Sequence, residues 1–310
     1  MKAAPASIEV AVCTFRRPDL ARTLASLDRQ DRPRGVAVSI LVIDNDAAPT
    51  AAPLVERFAS TARLPVRYVH CPGANISIAR NGALDHASAR HLAFIDDDEE
   101  AGRGWISALV AAAESQKADV VLGPVRALYE AGAPTWMRRL DPHSTAPVEV
   151  AGTIRTGYCC NVLVDLKSAA VAGLRFDPAL GRSGGEDTAF FSEAFRRGAR
   201  IVHAPDALVT EAVVPERACF AWLARRRFRS GQTHGRLLAD EARGPRRLAE
   251  IGIAALKFGY CAFAALAAAA DTERRNAALL RGSLHGGAIT GLAGMRPITI
   301  YSSRTDGQTE

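Results

Sequence analysis

The sequence is short of several residue types and patterns that mark familiar protein classes. Only four of its 310 residues are lysine, so its net charge of +6 comes from 35 arginines. Its six cysteines contain no CxxC pair and its seven histidines no HExxH spacing, which argues against a zinc site or a disulfide framework. No apolar run develops before Glu9, so we expect no signal peptide. These absences favour a cytosolic protein with reduced thiols.

Two nucleotide-binding signatures are also missing. No GxxxxGK[ST] loop occurs, and no GxGxxG follows the first apolar run, which excludes the common P-loop and dinucleotide fingerprints. A hydrophobic share of 48% with a mean hydropathy of +0.00 supports a packed core and excludes a disordered chain or a polytopic membrane protein. Positive charge carried by arginine favours partners with phosphate groups, because the guanidinium fork matches phosphate oxygens.

The N-terminal part of the chain alternates between two kinds of segment. Apolar β-type runs occupy residues 8–15, 36–44, 66–70, 91–95 and 120–123. Segments with helical spacing of apolar residues separate them, at 19–30, 51–60, 77–89 and 105–115. Nearly continuous apolar strands separated by helices predict an α/β fold whose sheet is parallel and covered on both faces.

Acidic residues follow two strands of this sheet. Asp44 and Asp46 follow the second strand, and residues 96–100 (DDDEE) follow the fourth, so both sets should open into one crevice beyond the carboxyl ends of the strands. Along an extended segment Asp96 and Asp98 face one ligand while Asp97 points away. Paired carboxylates suit Mg²⁺ or Mn²⁺. The alternatives are a solvated acidic loop for residues 96–100 and turn or N-cap roles for Asp44 and Asp46.

A second acidic pair opens a helix further along the chain. Glu186 and Asp187 follow Gly184 and Gly185, and an apolar face extends from Phe190 toward residue 197. A carboxylate at a helix N-terminus is held ionised by the helix dipole and is available as a base, while the glycines allow a substrate to approach the backbone. Helix capping is the alternative role for these acids.

The C-terminal part differs from the rest in composition. Residues 216–247 carry nine arginines, and residues 251–270 are apolar except for Lys257 and two glycines. A second, weaker apolar stretch covers residues 277–295. Alanine content and the lysine make insertion unfavourable, so we expect two helices lying at a membrane interface rather than a span. The alternative for the arginines at 225–229 is a solvated helix face.

Taken in order, these segments resemble the inverting family 2 glycosyltransferases with the GT-A fold, and in particular bacterial glucosyltransferases of succinoglycan-type exopolysaccharide synthesis. The matching stretches are VCTFRRPDL at 12–20, VIDNDA at 42–47, NISIARN at 75–81, FIDDDE at 94–99, GPVRALY at 123–129, RTGYCCN at 155–161, SGGEDTAFF at 183–191 and RRFRSGQTHGRLL at 226–238. The resemblance implies a glycosyltransferase domain over residues 1–240, with a donor half of about 8–123 and an acceptor half of about 124–240. Residues 241–310 would form the membrane-associating extension.

The resemblance also assigns expected roles. Thr14 and Asp44 resemble the donor-binding residues for uracil and ribose, with Arg80 nearby, and Asp96 resembles the acid that touches ribose or sugar. Asp98 resembles the acid that binds the metal, and Asp187 the general base. The expected acceptor contacts are Glu186, Arg226, Arg227 and Arg229. Many relatives place a metal-binding histidine after the Glu-Asp helix, where this chain has Thr210 and Glu211.

The reaction implied is inverting transfer of glucose from UDP-glucose, with Mg²⁺ or Mn²⁺, to form a β-linkage on a polyprenyl-diphosphate-linked oligosaccharide. The protein would be peripheral or monotopic on an anionic membrane surface, at the cytoplasmic face of the inner membrane, with no nucleic-acid partner. Two alternatives remain: a sugar-1-phosphate nucleotidyltransferase, although the first loop lacks the usual glycine-rich lysine signature, and a non-enzymatic basic membrane-binding protein, which leaves the acidic strand ends unexplained.

Overall fold

The computed structural model describes residues 7–298, which form two compact units. Residues 7–128, 143–181 and 186–212 make up the first unit, and residues 129–142, 182–185 and 213–298 the second. In chain order the elements are β1 (Ser7–Thr14), α1 (Leu20–Asp28), β2 (Ala37–Asp44), α2 (Ala52–Ala59), β3 (Val66–His70), α3 (Ile76–His86), β4 (His91–Asp96), β5 (Glu99–Ala101), α4 (Trp105–Gln116), β6 (Val120–Leu122), β7 (Val125–Tyr129), α5 (Thr135–Leu140), β8 (Glu149–Val150), β9 (Thr153–Ile154), β10 (Asn161–Asp165), α6 (Glu186–Arg196), β11 (Ile201–His203), β12 (Val209–Val213), α7 (Phe220–Glu241), α8 (Pro245–Ala267) and α9 (Thr272–Leu292).

A seven-stranded sheet forms the centre of the first unit, in the order β11-β6-β10-β4-β1-β2-β3. All neighbouring pairs are parallel except those of β10, which runs antiparallel to both β4 and β6. Apolar clusters cover both faces, as expected for the mostly apolar strands of a largely parallel sheet. The expected mostly parallel α/β sheet is thereby confirmed.

Strand register determines which side chains share an edge. Thr14 at the end of β1 pairs with Asp44 at the end of β2, and Cys13 pairs with Asp96 at the end of β4. Because parallel strands end on the same side of a sheet, the acids that follow β2 and β4 lie at one edge of the first unit.

The segment from β6 to β9 contains four prolines, at 124, 134, 142 and 147, and its elements are short. It forms β7, the six-residue helix α5 and the hairpin pair β8 and β9, and a small second sheet has the order β5-β12-β7. Proline prevents long elements but tolerates short ones at edges and turns, which is what this segment uses.

Three long helices dominate the second unit. Glycines bring α7 and α9 into backbone contact: a Cβ atom at Gly231 or Gly235 would collide with the α9 backbone, and one at Gly287 or Gly291 with the α7 backbone. The helix α8 packs on α9. Within residues 7–298, α8 is the one helix whose length and apolar composition would suffice to cross a membrane, and most of it is exposed.

The two compact units do not divide the chain at residue 240. The helix α7 belongs with α8 and α9, whereas the sequence prediction placed residues up to 240 with the catalytic domain. The functional boundary of the catalytic domain stays a prediction.

Candidate active site

The carboxyl ends of β1 and β4 are linked by a side-chain hydrogen bond. Thr14 is buried, and its Oγ1 donates to Asp97 Oδ2 at 2.7 Å. The strand β4 ends at Asp96, and residues 97 and 98 turn into β5, so the alternation expected along residues 96–98 stops at Asp96. Asp97 therefore supports the first strand end instead of pointing away from the edge.

Asp44 is buried completely, and its carboxylate has three donors within the first unit. Tyr68 Oη donates to Oδ2 at 2.8 Å, the Ala51 amide to Oδ2 at 2.9 Å and the Asp46 amide to Oδ1 at 3.1 Å. By accepting backbone amides of the following turn, Asp44 has the turn role that the sequence analysis gave as its alternative. These contacts also hold its carboxylate at the strand edge where a nucleotide is expected.

Asp96 and Asp98 lie in a crowded acidic environment. Burial and the charges of Asp98 and Asp97 raise the pKa of Asp96 to about 7, against the opposing charge of Arg80, although 43% of the Asp96 side chain is exposed. Asp98 Oδ2 lies 3.5 Å from Arg17 Nη2. Negative charge therefore exceeds positive charge at the end of β4.

Arg80 of α3 is buried between two of the predicted site acids. Its Nη1 donates to Glu186 Oε1 at 2.5 Å, and its Nη2 lies 3.8 Å from Asp96 Oδ1. Burial by itself lowers the pKa of Arg80, but the surrounding acidic groups, Cys159 and Glu186 foremost, raise it above its ordinary value. Arg80 therefore stays a cation and links the end of β4 to the first turn of α6.

Asp187 is only partly buried and follows Glu186 in the first turn of α6. Its Oδ1 accepts the Thr188 amide at 2.6 Å, and its charge acts on Arg80. The Thr188 carbonyl in turn accepts Thr156 Oγ1 at 3.0 Å. The structure thus brings Asp96, Arg80, Glu186 and Asp187 together around one buried guanidinium.

Glu211 lies next to the acidic cluster, where the resemblance placed a histidine in many relatives. In the antiparallel pairing of β12 with β5, Glu211 is opposite Glu99. Burial is the main cause of the raised pKa of both Glu99 and Asp96, and the charge of Glu211 adds to it. Thr210 Oγ1 donates to the Glu100 carbonyl at 3.4 Å. Glu211 is therefore the side chain of this pair that adds to the negative charge.

The carboxylates at the end of β4 fit a hard divalent cation, for which they would supply part of the ligand set. Asp96 and Asp98 offer carboxylate oxygens, and the neighbouring charges of Asp97 and Glu211 add negative charge that a cation would offset. Among residues 7–298, no three histidine, cysteine, aspartate or glutamate side chains are arranged to hold a metal by themselves. A cation here would need further oxygens from a bound diphosphate and water.

The predicted acceptor arginines lie on α7 of the second unit. Arg226 stacks over the Trp222 ring at 5.4 Å, and Arg227 Nη2 donates to the Pro142 carbonyl at 3.2 Å. Arg229 Nη1 donates to the Ser183 carbonyl at 2.9 Å. Each of the three therefore has a contact within its own unit.

Sequence reasoning assigned no role to three residues at this edge. Arg17 contacts both Asp97 and Asp98, Glu99 is buried and accepts the Asp96 amide at 2.9 Å, and Asn75 caps α3 by accepting two amides. Arg17 belongs to the stretch VCTFRRPDL and Asn75 to NISIARN, so both residues lie in motifs that the sequence analysis had already identified. Which partner each would find depends on contacts distant in sequence.

Comparisons with known proteins identify the family of this chain. The family described as Glycosyl transferase family 2 matches residues 9–170, just over half of the chain. The chain is 48% identical over 297 residues to the succinoglycan biosynthesis protein ExoM of Rhizobium meliloti (strain 1021), covering 96% of both proteins.

Solved structures share the fold at low identity. The mannosyltransferase PcManGT from Pyrobaculum calidifontis, in complex with GDP-Man and Mn²⁺, matches with a TM-score of 0.62 and 20% identity over 95% of this chain and 89% of that one. S. aureus TarS 1-349 in complex with UDP-GlcNAc matches with a TM-score of 0.51 and 18% identity over 72% of this chain and 66% of that one, just under two thirds of its length. From its family match, its close relative and its α/β, GT-A-like fold, the chain belongs to glycosyl transferase family 2 and is a glycosyltransferase.

Proposed function

We propose that this protein transfers glucose from UDP-glucose, with inversion, onto a polyprenyl-diphosphate-linked oligosaccharide in the synthesis of a succinoglycan-like exopolysaccharide. The observation that carries the proposal is the meeting of strand-end acids with the Glu186-Asp187 helix start around Arg80. The name of the 48% identical relative, a succinoglycan biosynthesis protein, supports the pathway class, and the nucleotide sugars in complex with the two structural neighbours support the donor class.

The donor side of the proposed site consists of Thr14, Asp44, Arg80 and Asp96. Asp44 is the residue proposed from the sequence to accept from a nucleotide N–H or a ribose hydroxyl. Its carboxylate is completely buried and already has three donors, Tyr68 and two backbone amides, so the nucleotide has to displace one of them to reach it. Thr14 supplies the wall beside it, and its bond to Asp97 keeps that wall in place. Asp96, which is partly exposed, accepts from ribose or sugar hydroxyls.

Asp98, with Asp96 beside it, would hold Mg²⁺ or Mn²⁺ at the donor diphosphate. When bound, the cation neutralises the negative charge that the leaving UDP carries. Arg17 contacts Asp98 and Asp97, so its side chain has to leave Asp98, or share it, when a cation binds there. Glu211 adds long-range negative charge and thereby favours a cation at this edge.

Asp187 is the proposed general base. Inversion requires that the acceptor hydroxyl lose its proton while its oxygen attacks the anomeric carbon from the face opposite the leaving group. The Thr188 amide orients Oδ1 of Asp187, which leaves Oδ2 available for the proton. The departing diphosphate takes the electron pair of the broken glycosidic bond.

Arg226, Arg227 and Arg229, together with Glu186, are the residues proposed from sequence for the acceptor side. Guanidinium groups match the oxygens of a lipid diphosphate, and α7 presents the three arginines within one turn. Arg226 contacts the Trp222 ring, and this contact restricts the arginine side chain. The cation–π energy of the contact is small compared with the energy of a charge-assisted hydrogen bond, so Arg226 can leave Trp222 to bind a phosphate oxygen.

The exposed face of α8 is proposed to lie on an anionic membrane at the cytoplasmic side. Large apolar side chains at 69–76% exposure form a stripe along this helix: Leu248, Leu256, Tyr260, Phe263 and Leu266. The opposite face, with Ala254, Cys261 and Ala265, is buried. Because α8 packs on α9, whose sequence includes Arg274, Arg275 and Arg281, we propose that α8 lies in the interface plane and does not span the bilayer.

A donor panel tests the proposed reaction directly. Purified full-length protein is incubated with radiolabelled UDP-glucose, other UDP-sugars or GDP-mannose, together with a membrane extract and Mg²⁺ or Mn²⁺. We expect label in the lipid fraction from UDP-glucose. Formation of UDP-glucose from UTP and glucose-1-phosphate would favour the nucleotidyltransferase alternative. Binding to vesicles with neither reaction would favour the non-enzymatic one.

A further inference from the structure

The helix α3 holds both ends of the loop that leads into α6. On the entering side, Asn75 Nδ2 donates to the Pro178 carbonyl at 2.9 Å, Ser77 Oγ to the Asp177 carbonyl at 2.8 Å, and Asn81 Nδ2 to the Phe176 carbonyl at 2.8 Å. These contacts lie within the first unit and fix the chain up to Gly181, whose Cα lies so close to Asn75 that a side chain there would collide with it.

On the far side of the loop, one charged contact from the same helix holds the chain. Residues 182–185 belong to the second unit, and the first unit resumes at Glu186, the first residue of α6. The Arg80 and Glu186 side chains are each only 7% exposed, and their ion pair joins α3 to the first turn of α6. Arg80 also lies over the Phe176 ring at 5.7 Å, and Phe176 stacks on Phe190 of α6 at 4.2 Å.

The burial of Glu186 leaves its carboxylate poorly placed to meet an acceptor. A carboxylate that is nine-tenths enclosed and directed at a buried guanidinium is stabilised by that partner, and leaving either group unpaired would be costly. Successive helical residues point about 100° apart, so fixing Glu186 inward fixes the direction of Asp187, which stays partly exposed.

We propose that Glu186 is a positioning residue, which acts through Arg80 to hold Asp187 in one orientation relative to Asp96. This inference rests on the proposed function, since it assumes that Asp187 is the base and that Asp96 serves the donor. It replaces the direct acceptor contact expected for Glu186 from the sequence. The consequence is that a change at Glu186 affects the chemical step and the donor side together and leaves acceptor affinity unchanged.

The test compares Glu186→Gln with Glu186→Asp, Arg80→Lys and the double variant Glu186→Gln/Arg80→Lys in the full chain. Glu193→Gln is the matched control, because Glu193 lies on the same helix and pairs with Arg196 and Arg197 of its own helix end. The measurements are turnover of radiolabelled UDP-glucose into lipid, the apparent KM for the membrane extract, and UDP affinity by calorimetry. Circular dichroism and thermal melting identify variants that fail to fold.

We expect Glu186→Gln to lower turnover about 10²-fold, the loss typical of a displaced catalytic group, with an apparent acceptor KM unchanged within about twofold. Glu186→Asp, which keeps the carboxylate, should recover part of the turnover. Loss of UDP affinity should be the same in the double variant as in the worse single variant. A raised acceptor KM at normal turnover would overturn the proposal. So would a double variant whose loss of UDP affinity is the product of the two single losses.

Hydrogen exchange separates this inference from the proposed function. The amides of residues 190–194 should exchange faster in Glu186→Gln than in the wild type, and not in Glu193→Gln, with no substrate present. If the wild type neither binds UDP nor transfers sugar, the proposed function fails, while faster exchange still supports the anchoring of α6 by Glu186. Unchanged exchange in a folded Glu186→Gln variant refutes that anchoring whatever the activity.

Discussion

The guanidinium of Arg229 in α7 occupies the space beside the Cα of Gly184, so that a Cβ atom at Gly184 would collide with Arg229 Nη1. Gly184 also has a φ of +82°, which favours glycine for a second, independent reason. Arg229 Nη1 donates to the carbonyl of the preceding Ser183 at 2.9 Å. The turn before Gly185 is therefore shaped by a side chain 45 positions further along the chain.

This relationship predicts that Gly184→Ala and Arg229→Ala are coupled. Gly184→Ala should destabilise the protein by about 1–3 kcal/mol through backbone strain, and its Cβ should also displace the Arg229 guanidinium from the Ser183 carbonyl. In the Arg229→Ala background only the backbone strain remains. The loss of unfolding free energy in the double variant, measured by urea unfolding, should therefore be smaller than the sum of the two single losses by at least about 0.5 kcal/mol. Gly173→Ala is the control for strain alone, because Gly173 has a φ of +75° and nothing within 4 Å. Additive losses would contradict the collision.

The proposed base predicts a separation of binding from turnover. Asp187→Asn keeps the size and the acceptor for the Thr188 amide but cannot take a proton, so turnover should fall by about 10²–10⁴-fold. UDP affinity, measured by calorimetry, should stay at the wild-type value. Asp206→Asn, at an exposed position of the same unit, should leave both unchanged. Near-normal turnover in Asp187→Asn, or loss of UDP binding in a folded variant, would make this acid structural or donor-binding.

Chelation and Asp98→Ala should have the same effect. We expect EDTA to abolish transfer by the wild type and added Mg²⁺ or Mn²⁺ to restore it, because the leaving diphosphate needs charge neutralisation. Asp98→Ala should lose transfer and also the Mn²⁺-dependent part of UDP affinity, with an unchanged melting temperature. Asp31→Ala, at an exposed aspartate of the same unit, is the control. Full activity in chelator would refute the metal site.

Membrane association should depend on the α8 stripe. Leu256→Glu removes an apolar side chain that is 76% exposed in the free protein and adds a negative charge. Burying a leucine contributes about 1.5–3 kcal/mol, so binding to vesicles containing phosphatidylglycerol should weaken at least about tenfold in a sedimentation assay. Val148→Glu, at a residue 70% exposed in the first unit, should not change binding. High salt should weaken only the arginine contribution. Equal binding of wild type and Leu256→Glu would exclude this surface.

A partly buried ion pair between Arg90 and Asp165, at the other end of the sheet, predicts acid sensitivity. Burial raises the pKa of Asp165, but hydrogen bonds from Arg90 at 2.8 and 3.2 Å and from the Lys167 amide outweigh this and hold it below its ordinary value. A carboxyl whose pKa is lower in the folded state stabilises above its unfolded pKa of about 3.9 and loses that contribution as pH falls through the folded value.

Asp165→Asn should therefore lower the unfolding free energy by about 1–2 kcal/mol at pH 7. The expected loss is smaller than for a fully buried pair, because solvent screens Arg90, which is 30% exposed. The difference from the wild type should shrink as the pH drops below about 4. Urea unfolding at several pH values measures both quantities. Asp85→Asn, in an exposed pair with Arg175, should change stability by less than about 0.5 kcal/mol. A difference that stays constant with pH would contradict the role of the ionised carboxylate.

Local pattern was enough to locate most elements of the first unit. The strand at 66–70 was predicted with the bounds it has, and β1, β2 and β4 end within one residue of the expected positions. Apolar periodicity reflects burial on one or both faces, and it is a property of neighbouring residues. The placement of Asp44 and Asp96 at one edge followed from the same pattern, because parallel strands end on the same side of a sheet.

The amino-acid sequence by itself thus determined the family, the strands and the acids at their ends, and only the tertiary structure decided how those acids are paired. Arg80 and Glu186 are 106 positions apart, and Thr14 and Asp97 are 83 apart. The antiparallel insertion of β10 between β4 and β6 left no signal in an apolar run that suits either direction. Helical spacing describes each helix alone, whereas the approach of α7 to α9 depends on glycines of both helices meeting, which requires the packed chain.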